Sequence, residues 1–482
     1  MKSLKLFFFF ILATTAISCT KWLDVKPDTD KDRDELVNSV TGIQQMLFGV
    51  YTGMVDEGLY GRQLTYGFTE AAAYNYYYAN ATAGPFNAWA YTSTVNRPII
   101  DNVWTKAYNT IANGNSLLKA IDDKKSLFTT QEFNVIKGET LALRAFLHFD
   151  LLRLFAPNYT VDSTIIALPY VATYESIRTP HEKSSTVMAK VLSDLNAAEA
   201  LLKDVDPIFT IGLTNTASSK TDFLSNRQYR FNYWAVQALK ARVYLYAGDK
   251  VNAELYATKV MEQGPFTWVN PSTLTGTNPD VVFMPELIFA LNVSKLETYY
   301  QAYFAPGLNK IANEASSYAI RIFEDPNDYR FLYQMTADRY GNKTISGKYK
   351  QSISASAPIK KQTMPMLRLG EMYLIAAECA NARGSKTTAI TLMRELRLRR
   401  GYLSADRSIP DNITPAELQA LIVKEFRKET YVEGQTFFNY KRLNQTTLPA
   451  FFSFFGEPVA TNAKFILPIP EAEKEFGNIP SK

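Results

Sequence analysis

The chain of 482 residues is 46% hydrophobic, 13% aromatic and 21% charged, a composition that is typical of a folded globular protein and excludes a largely disordered one. Its 52 Lys and Arg residues against 47 Asp and Glu give a formal charge of +5, and the basic residues form no block, so nucleic-acid binding gains no support. With 2 His and 2 Cys, the sequence lacks the ligands of an ordinary Cys/His zinc site and offers little material for a catalytic triad.

The first residues of the chain have the pattern of a bacterial lipoprotein leader. Two lysines precede an apolar run that is shorter than the about 20 residues of a membrane-spanning helix. Ala16-Ile17-Ser18-Cys19 resembles a lipobox, whose cysteine becomes the acylated first residue of the mature protein. We therefore predict a signal peptide at 1–18, lipid attachment at Cys19 and a polar tether over 19–34. An ordinary secretory peptide cut near the same place is the alternative.

The remainder, 35–482, is predicted to be a single mainly α-helical domain. Apolar residues recur at helical spacing in seven stretches. These are 34–55, 99–121, 130–155, 184–202, 232–263, 366–400 and 415–443. Cys379 lies in one of these apolar runs and is predicted to be a buried, unreactive thiol.

Two of the helical stretches share a pattern. In the first, Gly248 is followed by Ala253, and in the second Gly384 is followed by Ala389. Each glycine stands between two predicted helices, and each alanine permits their close approach, which is the arrangement of a tetratricopeptide hairpin. We expect such hairpins to form a scaffold, although the repeats are irregular.

Long insertions interrupt the helices at 58–96, 161–183, 267–358 and 444–482. They are rich in Gly, Pro, Asn, Ser and Thr and contain short strand-like runs such as 286–293. Binding surfaces are commonly built from loops on a rigid frame, so we expect the function to lie here.

No catalytic or cofactor signature occurs in the sequence. His148 lies in an apolar helix and is predicted to be a packed histidine, whereas His181 follows a proline with no nucleophile nearby in sequence. Residues 28–32 match only the start of a calcium loop, because Arg33 and Ser39 stand where Gly and Glu are needed. We predict no catalytic residue, no metal ligand and no cofactor.

Aromatic residues in two insertions are the positive indication of function. They are interleaved with Asn and Thr, and sugar rings bind to such mixtures because their C–H faces lie on aromatic planes while their hydroxyls bind amides. The predicted ligand-binding residues are Tyr74, Tyr76, Tyr77, Tyr78, Trp89, Tyr91, Trp268, Tyr299 and Tyr300. The alternative is that these side chains pack the insertions onto the helices.

Five separated segments of the chain resemble the SusD/RagB family of Bacteroidetes nutrient-uptake lipoproteins. They are Cys19-Thr-Lys-Trp-Leu-Asp-Val-Lys-Pro27, Trp104-x-x-x-Tyr108-x-x-Ile111-Ala-Asn113, 143–155, 367–378 with Gly384, and 425–442 followed by Leu467-Pro-Ile-Pro470. The chain departs from the family pattern at Asn439, where Asp is common, and at Thr436, where Arg is common.

The resemblance implies a SusD-like fold with tetratricopeptide-like hairpins, a lipid-anchored outer-membrane protein at the cell surface, and no enzyme activity. It also implies a SusC-like TonB-dependent transporter as partner, to which captured glycan is delivered. Peptide uptake, as in the RagB branch, stays open as the alternative. A surface glycoside hydrolase is a further alternative, for which the sequence nominates no carboxylate pair, and an adaptor that binds only proteins would need shorter or more polar insertions.

The most specific of the five segments has its own structural interpretation. Glu425, Arg427, Glu429 and Glu433 recur at helical spacing. We predict that they form buried ion pairs that fix a helical hairpin and do not bind ligand.

Overall fold

The computed structural model describes residues 36–75, 77–78, 89–213, 223–304, 311–312, 322–337, 343–349, 362–403, 409–449 and 459–480. The helices of these residues are α1 (Val40–Met54), α2 (Phe68–Ala72), α3 (Asn96–Asp123), α4 (Thr130–Phe155), α5 (Ser184–Leu202), α6 (Ile208–Ile211), α7 (Tyr233–Ala247), α8 (Lys250–Gln263), α9 (Leu296–Tyr303), α10 (Tyr329–Gln334), α11 (Leu369–Ala382), α12 (Lys386–Arg399), α13 (Pro415–Glu429), α14 (Gln435–Arg442) and α15 (Glu471–Phe476).

The strands are short and form two-stranded antiparallel sheets. They are β1 (Tyr77–Tyr78), β2 (Ile166–Pro169), β3 (His181–Lys183), β4 (Leu287–Asn292), β5 (Ile311–Ala312), β6 (Met335–Ala337), β7 (Lys343–Ser346) and β8 (Thr363–Arg368). The described pairs are β1 with β5, β2 with β3, β4 with β8, and β6 with β7. The mainly α-helical fold predicted from the sequence is therefore confirmed.

The predicted helices differ from the observed ones mainly at their ends. Within the first predicted stretch, α1 begins at Val40, because the Ser39 hydroxyl accepts a hydrogen bond from the backbone N–H of Gly42 at 3.0 Å and caps the helix there. The stretch predicted as helix from 366 opens with the last residues of β8, which pairs with the distant β4. The strand-like run at 286–293 is confirmed as β4.

The two predicted hairpins are present and turn in the same way. Gly248 joins α7 to α8 and Gly384 follows α11 shortly before α12, each with a φ of 84°. That left-handed conformation costs glycine little and other residues more. Ala253 and Ala389 are fully buried, as close helix approach requires. Helix α8 also packs on α11, and α11 packs on α13, so the hairpins form one scaffold.

Helix α4 lies at the centre of the core. Thr129 and Glu132 form a reciprocal capping box at its start, and nearly every residue from Phe133 to Phe155 is buried between α3, α5 and their neighbours. Its His148 is fully buried, so the predicted packed histidine is confirmed. Among the described helices, none combines the length and apolar content that crossing a bilayer requires.

Cys379 is buried in α11, as predicted. Burial, with a contribution from the neighbouring Glu378 carboxylate, raises the pKa of its thiol to about 12. The thiol is therefore protonated and shielded at neutral pH.

The predicted buried ion pairs of the C-terminal hairpin are confirmed for Glu425, Glu429 and Glu433, whereas Arg427 donates to the side chain of Asn75. Glu429 accepts from Arg400 at 2.6 Å and from Arg330 at 3.1 Å, and it contacts Arg368 at 3.1 Å. Glu425 pairs with Arg330 at 2.8 Å. Burial alone would raise the pKa of Glu429, but Arg400 and Arg368 outweigh it and hold that pKa well below the usual range. These ion pairs join the hairpin to arginines outside it and so fix its position.

Candidate functional site

A surface cavity of about 650 Å³ opens where the end of α1 meets α3 and the segment that links β4 to α9. Its volume falls in the range of roughly 300–1,000 Å³ that small-molecule sites occupy. The cavity is lined by a mixture of charged, amide, hydroxyl and aromatic side chains, and we treat it as the candidate ligand site and call it the first cavity.

Asp56 lines the first cavity in the turn that follows α1. Its Oδ1 accepts from the backbone N–H of Gly58 at 2.8 Å, and its Oδ2 accepts from Nζ of Lys106, on α3, at 2.9 Å. A Cβ at Gly58 would lie 2.4 Å from Nδ2 of Asn102, so this turn approaches α3 closely. The carboxylate therefore ties the loop after α1 to the wall formed by α3.

Arg62 forms a second charged wall. It forms an ion pair with Glu57, and its guanidinium lies 4.8 Å from the centre of the Tyr303 ring. Tyr303 in turn contacts Tyr66, with ring centres 6.5 Å apart. The arginine is thus held between a carboxylate and an aromatic face.

Helix α3 presents a line of side chains to the first cavity. Pro98, Asn102 and Lys106 lie at positions i, i+4 and i+8, which is one face of a helix, and Asn102 is exposed. An exposed amide offers both a donor and an acceptor to a ligand hydroxyl.

Tyr299 is the predicted ligand-binding residue that lines the first cavity. It lies on α9, is half-buried, and stands in the same wall as the exposed Lys295. Burial, followed by the nearby carboxylates of Glu57 and Asp56, raises the pKa of its hydroxyl, which stays a neutral donor. The ring can therefore offer an apolar face beside polar groups.

Three predicted aromatic residues of the first insertion contact each other or the frame. Tyr74 and Trp89 have ring centres 4.8 Å apart, and both have a positive φ, 56° and 48°. Trp89 donates from Nε1 to the carbonyl of Ala72 at 3.0 Å, and Tyr91 donates to the carbonyl of Lys464. Trp89 and Tyr91 are 8% and 9% exposed, so both pack the insertion onto the helices, whereas Tyr74 is half-buried.

Trp268 lies apart from the first cavity. Its ring packs 4.8 Å from that of Tyr373, and the Arg400 guanidinium lies 5.1 Å from its centre. It belongs to the contact between the longest insertion and the helical hairpins.

Strand pairing brings the two aromatic insertions together. In the β1–β5 pair, Tyr77 lies opposite Ala312 and Tyr78 opposite Ile311. The side chains of Tyr77, Tyr78 and Tyr300 lie outside the described residues, as do Tyr76 and Cys19.

Sequence reasoning missed the polar part of the first cavity. The signals available were an Asp-Glu-Gly turn after the first helix and the spacing of residues 98, 102 and 106 on the next long helix. Nothing in the sequence showed that these two elements face Tyr299, which is nearly 200 residues further on. Within the described part of the chain, no group of three or more His, Cys, Asp or Glu residues is placed to hold a metal ion.

The fold and the first cavity define a class: a helical-hairpin protein with long inserted segments and a cavity lined by polar and aromatic side chains. The chain belongs to the SusD/RagB family. The family model described as "Starch-binding associating with outer membrane" matches residues 21–245, and the SusD family model matches 288–474.

Individual relatives are distant in sequence and close in fold. The SusD-like protein P38 of Formosa agariphila is 22% identical over 393 residues, which cover 71% of this chain and 72% of that protein. A SusD superfamily protein from Bacteroides thetaiotaomicron aligns with a TM-score of 0.71 at 21% identity, covering 92% of this chain and 99% of that one. A SusD-like carbohydrate binding protein from Bacteroides vulgatus aligns with a TM-score of 0.68 at 19% identity, covering 92% and 97%.

Proposed function

We propose that the protein is a non-catalytic lipoprotein that captures oligosaccharide in the first cavity and delivers it to a SusC-like TonB-dependent transporter. The observation that carries this proposal is the position of Tyr299, whose ring stands beside amide and charged groups in a cavity of about 650 Å³. Sugars need that combination, because one face of the ring is apolar and its rim carries hydroxyls.

The polar groups of the first cavity are suited to hydroxyl recognition. Asp56 and Lys106 hold each other at 2.9 Å, and Glu57 holds Arg62, so each charge is oriented before a ligand arrives. Pre-oriented groups bind with a smaller loss of conformational entropy. Asn102 adds an exposed amide.

The arrangement of the carboxylates in the first cavity favours binding of a glycan over its hydrolysis. A glycosidase uses two carboxyl groups on opposite sides of the scissile bond. Here the two carboxylates, Asp56 and Glu57, are neighbours in sequence, and each is engaged with a cation. They are therefore better suited to orient donors than to act as an acid and a nucleophile.

The family match supports the proposed location. One matching family model is described as associating with the outer membrane. We place this chain there through an acyl chain on Cys19, with its cavity available to glycan at the cell surface and the transporter as its partner. Pull-down of the lipidated protein from its native membrane, followed by mass spectrometry, should recover a TonB-dependent barrel.

The test of glycan capture is affinity electrophoresis of the full-length protein in mild detergent against amylopectin, pectin, xylan, laminarin and mucin glycans. One polysaccharide should retard the protein, and Tyr299→Ala should weaken binding about tenfold. Tyr174→Ala is the matched control, because Tyr174 is 41% exposed and does not line the first cavity. Peptides released from the denatured native protein, with no glycan bound, would replace this proposal by peptide capture.

A further inference from the structure

A second cavity of about 320 Å³ adjoins the first one along helix α1. Thr52 and Val55 line both cavities, and Phe48 lines the second. These three residues stand at positions i, i+4 and i+7, on one face of α1 and its C-cap, and span roughly 10 Å at the rise of a helix. The two cavities therefore form one groove along α1, with Thr52 and Val55 in the lining of both.

An aromatic wall forms one side of the second cavity. Phe48 is 46% exposed, and its ring meets that of Phe223 edge to face at 5.7 Å. The Arg230 guanidinium lies 4.5 Å from the Phe223 ring centre and 5.1 Å from that of Phe48. An exposed ring that is held in this way is a pre-formed stacking surface.

Arg230 is itself anchored behind the rings. Its Nε donates to Oε2 of Glu139 at 2.8 Å, and its Nη1 donates to the carbonyl of Phe223 at 3.2 Å. Glu139 compensates the charge of Arg230. Arg230 is the charged residue among the described lining of the second cavity, so the aromatic wall offers no net charge to a ligand.

Side-chain amides line the same cavity as the aromatic wall. Asn226, with a φ of 51°, and the exposed Asn292 at the end of β4 both line the second cavity. The Asn226 side chain donates from Nδ2 to the Ser225 hydroxyl at 3.1 Å. A flat apolar ring and side-chain amides in one cavity repeat, without the ion pairs, the chemistry of the first cavity.

We propose that the second cavity is a subsite for an uncharged sugar unit of the same oligosaccharide that occupies the first cavity. This inference rests on the proposed function and adds to it that the ligand is an extended chain, with one unit packed on Phe48. Because Thr52 and Val55 line both cavities, a chain that is bound at Tyr299 and continues along α1 enters the second cavity.

The experiment is calorimetry of the full-length protein with size-fractionated oligosaccharides, from disaccharide to octasaccharide, cut from the polysaccharide that retards it. Phe48→Ala should lower the affinity for the longer oligosaccharides about fivefold and leave that for the shortest binding one unchanged. Phe476→Ala is the control, because Phe476 is 59% exposed on α15 and lines neither cavity. Asn226→Gly, which tolerates the same backbone conformation, should reproduce the length-dependent loss.

Two results overturn the proposal in different ways. In the first, glycan binds and Tyr299→Ala weakens its binding, but Phe48→Ala and Asn226→Gly either bind like Phe476→Ala at every oligosaccharide length or lose affinity equally at all lengths. The second subsite is then wrong, and glycan capture stands. If the unmodified protein binds no glycan, the proposed function fails, and the subsite fails with it.

Discussion

Arg427 donates from Nε to Oδ1 of Asn75 at 2.8 Å, joining two residues that are 352 positions apart in the sequence. Asn75 also donates to Oε2 of Glu70 at 2.6 Å, and Glu70 accepts from the backbone N–H of Gly434 at 2.9 Å. The turn between α13 and α14 is thereby clamped to the first aromatic insertion. The hairpin that is most recognisable in sequence acts as the support of that insertion.

Replacing Asn75 by Ala should lower the free energy of unfolding by about 2–3 kcal/mol, because the buried Glu70 and Arg427 each lose a partner. Urea denaturation followed by circular dichroism measures the loss. Asn252→Ala is the control, since Asn252 donates to Asp249 at the protein surface, and it should cost less than about 0.5 kcal/mol. Equal losses in the two variants would refute the clamp.

His148 should make stability fall on mild acidification. Its Nε2 accepts from the backbone N–H of Val171 at 3.0 Å, so its Nδ1 carries the proton and donates to the Arg144 carbonyl at 2.9 Å. Burial lowers the pKa of His148 from 6.5 to about 3. A lowered folded-state pKa means that the unfolded chain binds the proton first, so this contribution is complete above pH 6.5 and is lost as the pH falls toward 3.

The expected loss attributable to His148 between pH 7 and pH 5 is about 2 kcal/mol. Urea titrations at both pH values should show a weaker pH dependence in His148→Gln than in the unmodified protein. His181→Gln, which removes the other histidine, should retain the contribution of His148. A His148→Gln variant with an unchanged pH dependence would contradict this assignment.

Two glycines with similar backbone conformations should differ sharply in their tolerance of Ala. Gly384 has a φ of 84° and open space around its missing Cβ, whereas Gly434 has a φ of 78° and a Cβ there would lie 2.1 Å from the Leu64 carbonyl oxygen. Gly384→Ala should cost about 1–2 kcal/mol for the left-handed conformation alone. Gly434→Ala should cost at least about 3 kcal/mol, because backbone must move as well. Thermal unfolding of both variants is the measurement, and similar losses would exclude the close approach to Leu64.

Replacing Trp89 should lower the stability of the fold, whereas replacing Tyr299 should weaken glycan binding. Trp89→Ala removes a buried ring and its hydrogen bond to Ala72, and should lower the free energy of unfolding by about 3–5 kcal/mol. Tyr299→Ala should cost less than about 1 kcal/mol and weaken glycan binding instead. Denaturation and calorimetry on the same preparations test both statements. A Trp89→Ala protein of normal stability would show that its packing is unimportant.

Local sequence patterns were sufficient to predict which segments are helical, but they did not predict where every helix begins and ends. The apolar spacing of α4 is a property of the segment itself, so the sequence predicts it to the residue. The start of α11 depends on β8 pairing with β4, about 75 residues earlier, and no periodicity near 366 reveals that contact.

In the candidate site, too, some residues could be predicted from the sequence and others could not. Tyr299 could be predicted because an aromatic residue in a long insertion already indicates a binding surface. Asp56, Arg62 and Lys106 could not, since their chemistry appears only when the loop after α1 folds against α3. Composition likewise predicted Trp89 and Trp268 as ligand residues, and it could not show that Trp89 is buried or that the Trp268 ring packs against Tyr373.

The burial of Cys379 makes the folded protein a convenient background for site-specific labelling. A thiol with a pKa of about 12 in the middle of α11 reacts negligibly with maleimides at neutral pH. A single cysteine introduced on the groove, for example by Thr52→Cys in a chain that begins after residue 19, would then be the site that takes up a fluorophore. Such a probe lies between the two cavities and would report the arrival of a chain in real time.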